Sequence, residues 1–356
     1  MSTSQLPQTM KAAVMHNTRE IRIEELPVPQ IGPDEVLIKV MAVGICGSDL
    51  HYYSHGRIGK YVVDKPFILG HECAGEIAAV GSAVRRFRAG DRVAAEPGVT
   101  CGRCAACKEG RYNLCPDVEF LATPPFDGAF VQYIKIREDF VFPIPDTLSY
   151  EEAALVEPFS VGLHAAVRTK LQPGSTIAIM GMGPVGLMAV AAAKAYGAST
   201  IIVTDLEPLR LEAAGLMGGT HIINIREQDP VDAIGIITNG RGVDVAWETA
   251  GNPKALQSAL GSLRRGGKLA VVGLPAQDEI PLNVPFIADN EVDIYGIFRY
   301  ANTYPKGIEF LSSGVVDATK LVTDKFALEQ TQEAMERALN QKSECLKIVV
   351  YPNGLI

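Results

Sequence analysis

Basic residues are in short supply: 33 Lys and Arg stand against 41 Asp and Glu, a formal charge of −8 at pH 7 with a pI near 5.4. A nucleic-acid surface needs clustered Lys and Arg to meet backbone phosphates, so that class of partner is not expected. The opening stretch MSTSQLPQTM has neither a basic n-region nor an apolar h-region, which reads as no secretory signal and a cytoplasmic protein. Nor is any long apolar run unbroken. From Ser175 to Ala193 there is no charge for roughly nineteen residues, the length of a membrane span, but Gly181, Gly183, Pro184 and Gly186 divide it into a buried strand, a turn and a helix. Internal repeats and low-complexity segments are also missing. The 356 residues, 47% hydrophobic and 21% charged, suit a globular chain of two domains with separate cores. Seven cysteines in an unexported chain argue for metal ligands or free thiols over disulfides.

Up to about Tyr150 short apolar runs alternate with Gly, Pro and Asp: Glu20–Leu26, Glu35–Val43, Gly75–Gly81, Asp91–Gly98 and Phe130–Ile136. Period-two patterning with frequent turns predicts a β-rich domain, partly closed as a barrel. From about Ser160 the texture becomes strands alternating with helices. Thr176–Gly181, Thr200–Asp205, His221–Ile225, Val243–Thr249, Lys268–Leu274 and Val292–Phe298 are nearly continuous apolar runs, as a parallel sheet covered on both faces requires. The expected class is α/β, a doubly wound Rossmann sheet with ligands at the carboxyl ends of its strands. Helices at Tyr304–Ser312 and Glu329–Asn340 and a strand at Leu346–Tyr351 follow. Gly215 and Gly219 stand in AAGLMGG where helix formers are expected, each costing about 1 kcal/mol if interior to a helix.

Four motifs carry chemistry. GICGSDLHYY supplies Cys46, Ser48, Asp49, His51 and Tyr52, and LGHECAG supplies His71 and Glu72. Thiolate, imidazole and carboxylate are the ligand types zinc accepts, and a catalytic site keeps its fourth position open. Glycines flank both candidates, which puts each on a turn. CGRCAACKEGRYNLC supplies Cys101, Cys104, Cys107 and Cys115, spaced by two, two and seven residues. Four thiolates in one lobe make a closed structural zinc site; an iron–sulfur cluster is the rival, against which the last spacing argues. Cys73 and Cys345 read as buried small residues. GMGPVG, Gly181 to Gly186 with Pro184 and Val185, follows a strand and opens a helix, so its N–H groups can face a pyrophosphate. Asp205 ends the next strand, 24 residues beyond Gly181, where a carboxylate either binds a ribose diol or caps the following helix.

Together GICGSDLHYY, GHECAG, the four-cysteine lobe and GMGPVG resemble the zinc-containing medium-chain alcohol dehydrogenase family, and within it the polyol branch of sorbitol (L-iditol) and xylitol dehydrogenases. The resemblance runs over essentially the whole chain. It implies a GroES-like catalytic domain over residues 1–160, to which 298–356 return, and an NAD-binding Rossmann domain over 161–297. It implies a catalytic zinc at Cys46, His71 and Glu72, with Glu157 contacting the zinc-bound water or ligating in its turn. Glu157 stands where many family members have a second cysteine, and as a helix N-terminal carboxylate it also suits the dipole. A harder, oxygen-rich site favours two neighbouring hydroxyls. Ser48 and His51 match the family's proton relay. Val185, Arg210, Gly273, Leu274, Ile297 and Arg299 match coenzyme-lining positions; Tyr52, Arg299 and Tyr300 match polyol contacts. The implied activity is oxidation of a polyol to a ketose with reduction of NAD, two zinc ions per chain, in a homotetramer. Threonine or butanediol dehydrogenase is the neighbouring alternative, and a non-catalytic, crystallin-like binding protein the alternative of another class.

Overall fold

The computed structural model describes residues 6–275 and 277–355. The chain divides into two units. The first takes the residues up to Glu157, then Tyr304–Ser312 and the chain from Val322 onward; the second takes Pro158–Thr303 and Ser313–Leu321.

In the first unit everything is built on the strand Glu35–Gly44, whose Val36, Leu37, Ile38, Val40, Ala42 and Val43 are all buried. Val36, Ile38, Val40 and Val43 are β-branched, and apolar side chains lie on both faces, as a central strand demands. It pairs antiparallel with Glu72–Val80, Tyr133–Arg137 and Lys347–Tyr351. The seven-stranded sheet runs Val141–Pro143, Arg92–Ala95, Glu72–Val80, Glu35–Gly44, Lys347–Tyr351, Val322–Ala327, with Tyr133–Arg137 attached to the central strand. A second sheet, Glu20–Pro27, Thr9–Asn17 and Phe67–Ile68, joins through a bridge between Ala12 and Val131. Between the sheets lie Met15, Tyr53, Phe67, Phe130 and Ile348. Each such side chain contributes about 1.5–3 kcal/mol by leaving water. The strand Val322–Ala327 has no counterpart in the sequence expectations, because Asp324 and Lys325 interrupt its apolar pattern.

The second unit is a six-stranded, all-parallel sheet in the order His221–Asn224, Thr200–Asp205, Thr176–Met180, Val243–Glu248, Leu263–Val271, Asp293–Gly296. Order reverses between Thr176–Met180 and Val243–Glu248, which opens a crevice at the carboxyl ends. Helices Pro184–Ala195, Pro208–Met217, Pro230–Ile237 and Pro253–Gly261 each begin with Pro at the first turn, where its missing N–H costs nothing. Trp247 is fully buried and its indole N–H donates to Thr169 Oγ1 at 3.4 Å. Two expected strands end earlier than their apolar runs, so Gly273 and Leu274, and likewise Ile297 and Arg299, lie in loops beyond the sheet.

Gly219 corrects an expectation. The helix Pro208–Met217 stops before it, with Gly218 at φ 121° as the cap, so the helix-interior cost falls on Gly215 alone. A Cβ at Gly215 would touch only Ile222 Cδ1 at 3.9 Å. Gly215→Ala should therefore stabilise the protein by about 0.5–1 kcal/mol, a rise of roughly 2 °C in midpoint by thermal denaturation. A lowered midpoint would mean that Gly215 serves something other than the helix.

Candidate active site

Strand register assembles the first cluster. Gly44 lies opposite Glu72, and Val43 opposite Cys73, in the antiparallel pair. Cys46 therefore leaves one strand just where His71 and Glu72 enter the other. Of the two register shifts in the same pair, that between Val40 and Ala42 bends the strands near this end, and that between Leu37 and Ile38 lies at the other. Ligand atoms of Cys46, His71 and Glu72 lie within 4.8 Å of one another, His71 and Glu72 buried and Cys46 partly so. Cys46 is also the N-cap of the helix Gly47–His55.

Asp49 ties the two loops together. Its fully buried carboxylate accepts the Cys46 N–H and the Gly70 N–H, each at 2.9 Å, and Oδ1 is 3.7 Å from His71 Nδ1. Burial acts to lower the His71 pKa, but the Cys46 sulfur and the Asp49 carboxylate outweigh it and raise it well above the ordinary value. A field that holds a proton on a buried imidazole is one that favours a cation, and the sulfur, nitrogen and oxygen donors fit zinc. Glu157 is buried but stands outside the 4.8 Å group. Ser48 is half-buried and His51 exposed on the same helix. Tyr53, on that helix, donates to Glu336 at 2.8 Å and anchors it to the helix Thr331–Asn340. Tyr52 is 3% exposed, edge-on to Phe67 in the core.

The four-cysteine lobe forms a second cluster in this unit. Cys101, Cys104, Cys107 and Cys115 bring their sulfurs within 4.8 Å of one another, all as free thiols. Cys101 to Cys115 is 3.5 Å and Cys104 to Cys107 is 3.4 Å, close to the ~3.8 Å edge of a tetrahedron with zinc–sulfur bonds of about 2.3 Å. Backbone N–H groups of Arg103 and Cys104 pull the Cys101 thiol down to about 7, while burial pushes the Cys115 thiol up to about 12. Tyr112, on the short turn after the third cysteine, donates to Glu96 at 2.8 Å. Burial pushes that carboxyl up to about 8, against the Tyr112 hydrogen bond.

In the second unit Gly181 takes φ 95° and Gly183 caps the helix Pro184–Ala195. A Cβ on Gly186 would come within 1.9 Å of the Gly181 carbonyl, so only glycine permits the tight turn. Asp205 accepts Met182 N–H at 2.6 Å, Leu206 N–H at 2.7 Å and Glu207 N–H at 2.9 Å. It is not the cap of the next helix, a position held by Glu207. Instead it fixes the glycine turn, with one acceptor site left on Oδ2. Arg210 and Val185 are half-buried nearby in sequence, and Leu274 is exposed. Arg299 and Asn302 both hold positive φ, 52° and 60°, in the segment that carries the buried Tyr300.

Sequence reasoning passed over Asp49 as a linker, Thr249, Glu248 and Lys347. Thr249 Oγ1 lies within hydrogen-bonding distance of the Gly181 carbonyl at 2.7 Å, while Glu248 accepts the Ala250 N–H at 2.8 Å, so these two fasten the loop after their strand to the glycine turn. The signal for Asp49 was present: an acidic residue three positions after a helix N-cap is a capping box. Lys347 pairs with Glu72 from the far end of the chain.

Residues 32–146 match the family model described as the alcohol dehydrogenase GroES-like domain, and 184–313 match that described as zinc-binding dehydrogenase. The chain is 82% identical over 351 residues to sorbitol dehydrogenase of Bacillus subtilis (strain 168), covering 99% of each. It is 41% identical over 341 residues to sorbitol dehydrogenase of Mus musculus, covering 95% of this chain and 94% of that one. Among solved structures, 2R,3R-butanediol dehydrogenase from Bacillus subtilis superposes with a TM-score of 0.88 at 37% identity, covering 97% and 100%. Metal clusters, sheet order and similarity over the whole length agree: the chain belongs to the zinc-containing medium-chain alcohol dehydrogenases, in their polyol branch.

Proposed function

We propose that the enzyme oxidises a secondary hydroxyl of a polyol, next to a terminal one, to the ketone of a ketose while NAD is reduced. The observation that carries this reading is the mixed donor set of Cys46, His71 and Glu72, with a further buried carboxylate at Glu157 in place of a second thiolate. Oxygen donors harden the site and suit a substrate with adjacent hydroxyls. Zinc held there supplies Lewis acidity at a substrate hydroxyl. Ser48 receives the hydroxyl proton and His51 passes it to solvent. His51 is exposed as a residue but its ring is partly desolvated, and this, then His55 and Lys342, holds it below its ordinary pKa, which favours the neutral imidazole that can accept that proton. Glu157 orients the hydroxyl or water at the open position. Gly181, Gly183, Pro184, Val185 and Gly186 cradle the pyrophosphate, Asp205 takes the adenosine ribose, and Arg210, Gly273, Leu274, Ile297 and Arg299 line the rest of the coenzyme. Arg299 and Tyr300 bind polyol hydroxyls. Tyr52 supports that site from the core. A homotetramer in the cytoplasm completes the reading.

A second reading, a vicinal-diol dehydrogenase, is favoured by the likeness to 2R,3R-butanediol dehydrogenase. Absorbance at 340 nm with sorbitol, xylitol, L-iditol, 2,3-butanediol and threonine separates the two. Polyols should lead by at least about tenfold in kcat/KM, a difference of roughly 1.4 kcal/mol. Turnover of none of them would leave a binding protein.

Elemental analysis should find two zinc ions per chain. Cys46→Ser should lose one of them together with turnover and still bind NADH; Cys104→Ser should lower the unfolding midpoint before it alters kcat. Equal unfolding in both variants would sink the division into catalytic and structural sites.

Coenzyme choice gives the last test. A 2′-phosphate beside Asp205 meets a repulsion of order 4 kcal/mol per unit charge at about 4 Å and an effective dielectric of 20. Solvent and Arg210 reduce this, leaving a preference for NAD of roughly 2–3 kcal/mol, about two orders of magnitude in kcat/KM. Asp205→Ser should weaken NAD use and narrow that ratio with zinc content unchanged. An unaltered ratio would assign Asp205 only to the glycine turn.

A further inference from the structure

Lys347 is 2% exposed on the strand Lys347–Tyr351, and its ammonium pairs with the Glu72 carboxylate, itself 1% exposed. Among the described residues the other lysine–carboxylate pairs leave both partners at least 18% exposed. Lys347 Nζ also donates to the Ile45 carbonyl at 2.8 Å, one residue before Cys46. A buried ammonium is costly unless paired and hydrogen-bonded, and here it has both. The place is prepared by Gly44, where a Cβ would fall 2.0 Å from Glu72 Oε2 and 2.9 Å from Lys347 Cε. The strand carrying Lys347 pairs with the central strand through Val349 opposite Gly44. Glu72, Gly44 and Lys347 are thus one unit, and its Glu72 member also belongs to the cluster with Cys46 and His71.

We infer that Lys347 is a positioning residue for the metal site: by engaging one carboxylate oxygen of Glu72 it limits that residue to a single donor oxygen and keeps a coordination position open for substrate. The inference rests on the reading of Cys46, His71 and Glu72 as zinc ligands. Its chemistry follows from the carboxylate, which takes one metal bond when half its lone pairs face an ammonium and two when that cation is gone. Carboxylate capture of the open position closes the site without expelling the metal. Loss of metal and loss of turnover should therefore come apart.

The test uses the full-length holoenzyme and, as a spectroscopic probe, the same protein with cobalt(II) in place of the catalytic zinc. Lys347→Met should keep two zinc ions per chain and bind NADH as before. Its kcat should fall by about 10–100-fold, the range seen when a ligand's outer partner is removed. The visible d–d bands of the cobalt form should lose intensity, as an added donor gives. Lys347→Arg keeps the charge and serves if the Met variant does not fold. Its forked donors shift the carboxylate, so a changed cobalt spectrum and a reduced kcat are again expected. Wild-type spectra with kcat within twofold, in whichever variant folds, would overturn the inference. Retention of both zinc ions by Cys46→Ser would instead overturn the ligand assignment beneath it.

Discussion

The antiparallel register that sets Gly44 opposite Glu72 is the constraint on which the first unit depends. Side chains alternate along a strand, so a slip of one residue would turn Glu72 away and carry His71 out of reach of Cys46. The register is held from several sides. Tyr133–Arg137 and Lys347–Tyr351 pair with the same central strand, and the Asp49 carboxylate bonds to the turns at both ends of the gap. Cys46, His71 and Glu72 are therefore held together by a sheet whose interior is apolar and by one buried acid. Preorganisation of this kind is what a three-ligand metal site with a free fourth position requires.

The second unit solves a different problem with backbone. Its strands are covered on both faces, so the polar side chains that brace the glycine turn, such as Asp205 and Glu248, come from the carboxyl ends of strands and from the loops beyond them. Gly186 presses against the Gly181 carbonyl, Thr249 reaches that same carbonyl, and Asp205 bonds to Met182. Three loops from three strands are cross-linked in this way. A turn that offers N–H groups to an anion gains rigidity it could not have from four glycines and prolines alone.

How much of this was legible follows from the range of each interaction. Period-two and continuous apolar runs disclosed the strands, and clustered Cys, His and Gly disclosed both groups of donor side chains, since each lies within a few residues or at motif spacing. The early ends of Leu263–Val271 and Asp293–Gly296 were hidden because Val, Gly and Leu serve a loop beside a ligand as well as a strand. Gly219 was misjudged because a helix stop at Gly218 depends on a left-handed residue that the apolar pattern does not mark. Lys347 was beyond reach of pattern reading altogether: a lysine heading an apolar strand reads as a solvent-facing start, and only tertiary structure supplies Glu72 as its partner. Asp49 lay within a recognised motif, yet its second bond, to Gly70, crosses to another loop.

The partnership of Glu72 and Lys347 spans 275 positions of chain. A ribosome adding about 5–20 residues per second needs on the order of 15–60 s to travel that distance. During that interval the emerging polypeptide already carries Cys46, His71 and Glu72, but the cation that balances Glu72 has not been made. Completion of the last strand then supplies the ammonium that pairs with Glu72, so this buried carboxylate gains its counter-charge only when the chain is almost finished.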